Sequence, residues 1–347
     1  MSDQNQTLMW AASESDPSGN GTNEYVSLKL RNVLLQVNCI ILLLLGVTGI
    51  PTNVLNMLIF HKMGLGRGTN ISFFALSAAD LVCGCIYVFL AVVMMGQSRL
   101  LDLGVDISDF RYLFGPIILS VSAFISWVTT IISVERCFCV LLPQRTKDIF
   151  SEKTTLSLIA GMLLVQVSVI IASVVSKRLT ITRSTLNNQS QVRLDHSTID
   201  SSVFVSLNFW AASLPTFICL LIVVCSTGFL LVALTKRGKW LQSLPSSGNN
   251  AIKKNKKLMY VVVAISVIHI ICFLPGVITI FVSFAVTDFN PFEPRSKNLY
   301  LVLSSFVGEF QALSSVVNMF VYLRMSSNYN QCWRNLLHLP SRRVFPA

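Results

Sequence analysis

The sequence predicts an all-α membrane protein built as a bundle of seven transmembrane helices. The chain of 347 residues is 53% hydrophobic and only 12% charged, whereas soluble domains carry roughly 25% charged residues. It contains seven long apolar runs, and a helix needs about 20 such residues to cross the hydrocarbon core. The runs lack the alternation of barrel strands, and only helices or closed barrels satisfy their backbone inside a bilayer. A seven-helix bundle follows.

The apolar runs divide the chain into three parts. They cover residues 33–60, 71–96, 112–134, 155–175, 203–234, 258–285 and 299–322. We expect residues 1–32 to form an extracellular, disordered and glycosylated segment, residues 33–323 the seven-helix domain, and residues 324–347 a membrane-surface helix with a short cytoplasmic tail.

The helix expected after the seventh run is amphipathic. Its apolar side chains Tyr329, Trp333 and Leu336 recur at helical spacing, which is typical of a helix that lies on the membrane surface. Cys332 lies among them and is a candidate for palmitoylation, as juxtamembrane cysteines often are. A plain buried or solvent-facing thiol is the alternative.

The charges predict the orientation of the bundle. The side that includes Lys62, Arg136 and the loop after the fifth run carries 17 Lys and Arg against 3 acids, and the opposite side carries 10 against 11. By the positive-inside rule the basic side is cytoplasmic and the N-terminus lies outside. The net charge of +11 therefore indicates topology and not nucleic-acid binding. Three glycosylation sequons, at Asn5, Asn20 and Asn188, fall on the predicted outer side.

Polar residues inside the apolar runs predict an intramembrane polar site. Asp80 lies in the middle of the second run and must face the bundle interior, since a carboxylate is costly at that depth. Asn53 and Asn318 lie at comparable depth, and Ser314 and Ser315 precede Asn318 by one helical turn. The group is either a polar cluster that only fixes helix packing or a hydrated pocket that binds a cation such as sodium, or a proton.

Charged and proline residues near the predicted cytoplasmic ends indicate a switch. Glu135 and Arg136 end the third run, where buried charge is expensive and usually functional. Pro215 and Pro275 fall inside the fifth and sixth runs and predict kinks. Phe273 precedes the second kink by two residues, where it would sense rotation of the helix below it.

Together these features resemble the rhodopsin-like (class A) G-protein-coupled receptors. The resemblance is carried in chain order by Asn53, residues 76–80 (the LxxxD element), residues 135–137 (the D/E-R-Y triplet), Pro215, residues 272–275 (CWxP) and residues 318–322 (NPxxY). It implies a receptor domain in the plasma membrane whose Arg136 is held by Glu135 and released to a heterotrimeric G protein when the sixth helix swings outward, with Tyr322 turning inward to support it. Phe273 and Met319 depart from the family by replacing its tryptophan and proline.

The ligand site is predicted mainly from family residues that this sequence lacks. The family's outer disulfide cannot form, because no cysteine lies between residues 177 and 201. Ile118 replaces the aspartate of amine receptors and Ala312 the lysine of retinal pigments, so neither ligand is expected. Glu309 and Gln311 in the seventh run remain as candidates to face a ligand; the alternative for Glu309 is a carboxylate that is neutralised or satisfied inside the bundle.

Residues 132–143 resemble the corresponding segment of gastropod mollusc chemosensory receptors. The resemblance implies a chemosensory receptor for an extracellular small molecule, with an invertebrate neuropeptide receptor as the alternative. A polytopic transporter or channel is the alternative from another class. We expect no enzyme activity, cofactor or metal site, since there is no HExxH or GxSxG motif and the four histidines do not pair at ligand spacing. The expected partners are a G protein, the ligand and membrane lipids.

Overall fold

The computed structural model confirms a bundle of seven helices long and apolar enough to span a membrane. It describes residues 25–96, 107–142, 144–175, 181–186, 189–194, 206, 209–242, 250–286, 288–289, 293, 295–325 and 327–337. The seven helices are α1 Leu28–Lys62, α2 Gly68–Met95, α3 Ile107–Leu141, α4 Glu152–Val175, α5 Leu214–Gln242, α6 Asn250–Ala285 and α7 Lys297–Met325. A short helix, α8 Ser327–Leu336, follows α7.

The packing order places α3 at the centre of the bundle. It packs against α2, α4, α5 and α6, and it is the most deeply buried of the seven helices. Helix α1 packs against α2 and α7, and α4 is the least buried. We call the end of the bundle that carries Arg136 and α8 the inner end; the charge distribution predicts that it is cytoplasmic.

Most helices extend beyond the apolar runs that predicted them. Helix α1 begins at Leu28, where the Ser27 hydroxyl accepts a hydrogen bond from the Leu30 N–H at 3.4 Å, and it continues to Lys62. Hydrophobicity reports only the part of a helix that lies in hydrocarbon, whereas backbone hydrogen bonding continues until a cap or turn interrupts it. The four-residue helix Thr146–Ile149 lies between α3 and α4.

Prolines lie inside the sixth helix and near the start of the fifth. Pro275 lies inside α6, as expected. Pro215 is the second residue of α5, and a π-helical turn at Phe209–Ser213 precedes α5 without a break. Because prolines and π-helical turns are both sites where helices bend, the kink expected at Pro215 stays a prediction.

A β-hairpin connects α4 and α5, and the sequence reading did not foresee it. Strand β1 Ile181–Leu186 pairs antiparallel with β2 Gln189–Leu194, with Ile181 opposite Leu194 and Leu186 opposite Gln189. The backbone hydrogen-bonding groups of this connection are thus paired between its own two strands. Asn188, a predicted glycosylation site, lies outside the described residues, as do Asn5 and Asn20.

Non-covalent contacts fasten the outer ends of α1 and α7 together. The Arg31 guanidinium donates to Asn298 Oδ1 at 3.0 Å, and Asn298 Nδ2 donates to the Val26 carbonyl oxygen at 3.0 Å. The Tyr25 N–H donates to the Arg295 carbonyl at 3.4 Å, and the Arg295 guanidinium lies 4.9 Å above the Tyr25 ring. We call these five residues the outer clasp. All nine cysteines are free thiols, so this connection does not depend on a disulfide.

Candidate functional site

The inner end of α3 holds a buried ion pair. Arg136 Nη2 lies 2.5 Å from Glu135 Oε1, and the two residues are 8% and 5% exposed. Thr69, in the first turn of α2, joins them: its hydroxyl donates to Glu135 Oε1 at 2.6 Å and accepts a hydrogen bond from Arg136 Nη2. We call Thr69, Glu135 and Arg136 the inner lock. The sequence predicted the pair but missed Thr69, which lies 66 residues before Glu135.

The inner lock leaves hydrogen-bonding capacity unused. Among the described residues, Glu135 Oε2 and Arg136 Nε are buried and have no partner. A buried polar atom without a partner costs about 1–3 kcal/mol, more when it is charged. The guanidinium is therefore held by contacts that do not fully satisfy it, and a polar surface docked at the inner end can offer it additional acceptors.

A second contact at this level connects α3 to α6. The hydroxyls of Ser133 and Ser266 are 2.9 Å apart and buried, and they form a hydrogen bond between α3 and α6. Displacement of the inner half of α6 from α3 has to break this bond. Its small hydroxyl partners let the two helices approach closely.

Tyr322 packs into an aromatic cluster that joins four helices. Its ring lies 5.1 Å from Phe60 of α1, 5.2 Å from Phe73 of α2 and 5.4 Å from Tyr329 of α8, measured between ring centroids. We call these four residues the aromatic cluster. The Tyr322 hydroxyl is buried and has no hydrogen-bond partner among the described residues. Its ring position is thus fixed by packing, while its hydroxyl stays free to form a bond elsewhere.

Phe273 packs against a buried histidine one helical turn away. The rings of His269 and Phe273 are 4.1 Å apart, and both side chains are buried. His269 Nε2 has no partner within the part of the chain that the structure describes. Spacing alone gave no signal for His269, because a single histidine in an apolar helix matches no motif.

The structure divides the predicted intramembrane polar site into two pairs. Asn318 Nδ2 donates to Asp80 Oδ2 at 3.0 Å, which joins α7 to α2. Asn53 Nδ2 donates to the Ser315 hydroxyl at 2.8 Å, which joins α7 to α1. Ser314 is buried next to Ser315. All five residues thus lie in the interior, but the two amides serve different partners.

The outer half of the bundle contains a neutral polar site around Gln311. Its Oε1 accepts hydrogen bonds from the Tyr87 hydroxyl of α2 at 2.6 Å and from the Ser122 hydroxyl of α3 at 3.0 Å. An added Cβ on Gly276 of α6 would lie 3.8 Å from Gln311 Nε2. The carboxamide nitrogen is therefore directed towards α6, with its oxygen already occupied.

The other three predicted ligand residues differ in burial. Ala312 is buried and Ile118 is partly buried against the core. Glu309 is half-buried, and its Oε1 has no partner among the described residues. Whether Glu309 faces a ligand or is neutralised inside the bundle therefore stays a prediction.

Helix α8 packs its predicted apolar face against the bundle. Cys332, Trp333 and Leu336 are partly buried against the core, and Tyr329 is fully buried. Burial raises the pKa of the Tyr329 hydroxyl above its ordinary value, so the group remains a protonated donor.

Within the described residues, no three His, Cys, Asp or Glu side chains come together as a metal site.

A comparison with protein families identifies the chain. The family described as "Serpentine type 7TM GPCR chemoreceptor Srx" matches residues 43–292, well over half of the sequence. The chain belongs to the Srx family of serpentine chemoreceptors. A search of curated proteins found no match. The Srx match supports a receptor rather than a transporter, channel or enzyme, and it supports a chemosensory role rather than a neuropeptide one. The matched residues end before α7.

Proposed function

We propose that this Srx chemoreceptor lies in the plasma membrane, binds an extracellular small molecule in its outer half and activates a heterotrimeric G protein at its inner end. The observation that carries the proposal is the inner lock. A guanidinium is buried beside its acidic neighbour at the end of the central helix, and both retain unsatisfied atoms. Such a pair is a two-state element that a docking partner can bias.

The lock holds the inactive arrangement. Glu135 and Thr69 both accept hydrogen bonds from Arg136 Nη2, and the Ser133–Ser266 bond holds α6 against α3. When α6 moves outward, Arg136 leaves the lock and contacts the G protein. Tyr322 then leaves the aromatic cluster, and its free hydroxyl supports Arg136. This sequence of events is the one that the resemblance to rhodopsin-like receptors implies.

The polar site around Gln311 favours a neutral group on the ligand, and Glu309 is the candidate charge that faces it. The polar groups around Gln311 carry no formal charge, since they are an amide and two hydroxyls, and Ile118 and Ala312 are apolar. The Gln311 nitrogen is available to donate a hydrogen bond to such a ligand. The Asp80–Asn318 and Asn53–Ser315 pairs lie deeper along α7 and transmit the change in helix packing, with Asp80 as the candidate to bind a cation such as sodium.

Modifications complete the proposal. The predicted sites are N-glycosylation of Asn5, Asn20 and Asn188 on the outer side and palmitoylation of Cys332 on α8. The half-buried position of Cys332 leaves part of its surface accessible to an acyl chain. Glycosidase treatment and acyl-exchange labelling of the purified receptor measure the two modifications separately.

The test is a guanine-nucleotide exchange assay with Arg136→Ala in membranes that contain equal amounts of receptor. We expect exchange to fall severalfold while surface expression is retained. Arg67→Ala removes an exposed arginine at the start of α2 and serves as the control. Unchanged exchange with Arg136→Ala, or ion flux that persists without a G protein, would contradict the proposal.

A further inference from the structure

A continuous line of buried hydrogen bonds runs from the middle of α7 to α8 by way of α1. Asn53 Nδ2 donates to the Ser315 hydroxyl at 2.8 Å, and Asn56 Nδ2 donates to Asn53 Oδ1 at 3.2 Å. The Tyr329 hydroxyl donates to Asn56 Oδ1. Asn53, Asn56 and Tyr329 are each 0% exposed. Every link therefore lies in the interior, where water does not compete for the hydrogen bonds.

The Asn56–Tyr329 bond joins α8 to α1. The amphipathic pattern placed Tyr329 on one apolar face with Trp333 and Leu336 but did not indicate this partner. Tyr329 enters the bundle and binds an amide on α1 that already donates to Asn53. Because Asn56 has one acceptor and one donor engaged in opposite directions, its orientation is determined by both partners.

The same tyrosine is one wall of the aromatic cluster. Its ring lies 5.4 Å from Tyr322 and 5.4 Å from Phe60. Asn330, the next residue of α8, donates to the Leu323 carbonyl oxygen at 3.0 Å, which fixes the turn between α7 and α8. A displacement of α8 therefore moves the side chain that encloses Tyr322, while the turn keeps the two helices joined.

We infer that Asn56 and Tyr329 form a latch by which α8 positions Tyr322. The latch keeps the Tyr322 ring in the aromatic cluster and away from Arg136. Release of the Tyr329 hydroxyl loosens the wall of the cluster and lets Tyr322 turn inward. Tyr329 and Asn56 are positioning residues, since they act through Tyr322. The functional part of this inference rests on the proposed role of Arg136 and Tyr322 in coupling.

The test begins with Tyr329→Phe, which removes the hydroxyl and retains the ring. We expect basal nucleotide exchange to rise about fivefold, which corresponds to about 1 kcal/mol, the contribution of one typical hydrogen bond. Tyr300→Phe removes a hydroxyl from the outer half of α7 and is the matched control. Asn56→Leu should have a similar effect, and the double variant should not exceed the larger single effect, because both changes remove the same bond.

If Tyr329 had only a structural role, Tyr329→Phe would change nucleotide exchange equally whether residue 322 is tyrosine or phenylalanine. On a Tyr322→Phe background, Tyr329→Phe should lower thermal stability as it does in the wild type but should no longer raise exchange, because the released ring then carries no hydroxyl to support Arg136. An equal rise in exchange on both backgrounds would overturn the positioning role. An Asn56→Leu measurement on the same backgrounds decides the question if Tyr329→Phe does not reach the membrane.

Two spectroscopic readouts separate failure of the latch from failure of the proposed function. Spin labels at exposed Lys62 and Gln331 report the distance between α1 and α8, and a fluorine label on the Tyr322 ring reports its surroundings. Tyr329→Phe should broaden the distance distribution and shift the fluorine resonance. Unchanged spectra would overturn the latch even if exchange responds to Arg136→Ala. Changed spectra in a receptor whose exchange ignores Arg136→Ala would support the latch and contradict the coupling role.

Discussion

Substitution of Thr69 by valine tests the inner lock with the smallest change of shape. Valine keeps the branched side chain and removes the hydroxyl that donates to Glu135 and accepts from Arg136. The Glu135–Arg136 contact at 2.5 Å remains possible. The substitution therefore weakens the lock without removing either charge, unlike a change of Glu135 or Arg136 itself.

The expected magnitude follows from these two bonds. A hydrogen bond to a charged group contributes about 1.5–3 kcal/mol. Because the ion pair persists and can relax around the apolar side chain, we expect a net loss near the lower limit, about 1.4 kcal/mol, which is a tenfold change in an equilibrium constant. A receptor with about 1% of its molecules in the active arrangement would then have about 10%.

The assay is basal nucleotide exchange per receptor, measured in the same membranes for the wild type and Thr69→Val. We expect an increase of up to about tenfold. Thr48→Val serves as the control, because the Thr48 hydroxyl is exposed and donates only to backbone carbonyls of its own helix. Unchanged or lower exchange with Thr69→Val would show that the hydroxyl does not hold the inactive arrangement.

Three further predictions concern other levels of the bundle. Ser133→Ala removes the bond to Ser266 and should raise basal exchange about fivefold in the same assay, since about 1 kcal/mol that holds α6 against α3 is lost; lower exchange would contradict this role. Asn298→Ala breaks two hydrogen bonds of the outer clasp, including the one from Arg31. It should lower the melting temperature of the purified receptor by a few degrees and leave basal exchange unchanged. An unaltered melting temperature would show that the clasp does not stabilise the bundle. Asp80→Asn should remove any sodium dependence of thermal stability, and an equal response to sodium in both proteins would exclude the cation pocket.

The transmembrane helices were predictable because their signal is local. Each apolar run contains enough residues to cross a bilayer, and no other fold satisfies the backbone of seven such runs. The hairpin of β1 and β2 was not predictable in the same way, since it lies between spans and its strands carry no strong alternation. The π-helical turn at Phe209–Ser213 was not predictable either, because hydropathy does not report a change in the hydrogen-bonding pattern of a helix.

The candidate site was only partly predictable because its contacts are non-local. Glu135 and Arg136 are adjacent in the sequence, so their pairing is visible there. Thr69 joins them from another helix, and no local pattern distinguishes it from other threonines. The spacing of Tyr329 indicates the apolar face of α8, but nothing local indicates that its hydroxyl binds Asn56, 273 residues away. Helical periodicity describes one helix and does not identify its neighbour.

The most direct test of the central claim is the distance between the inner ends of α3 and α6. Labels at exposed Leu141 and Tyr260, introduced as unnatural amino acids because nine native cysteines would compete, can be measured by electron paramagnetic resonance with and without a nucleotide-free G protein. We predict a longer distance when the G protein is bound, and the same shift in part of the Thr69→Val population without it. A single unchanged distance under all these conditions would contradict the proposed switch.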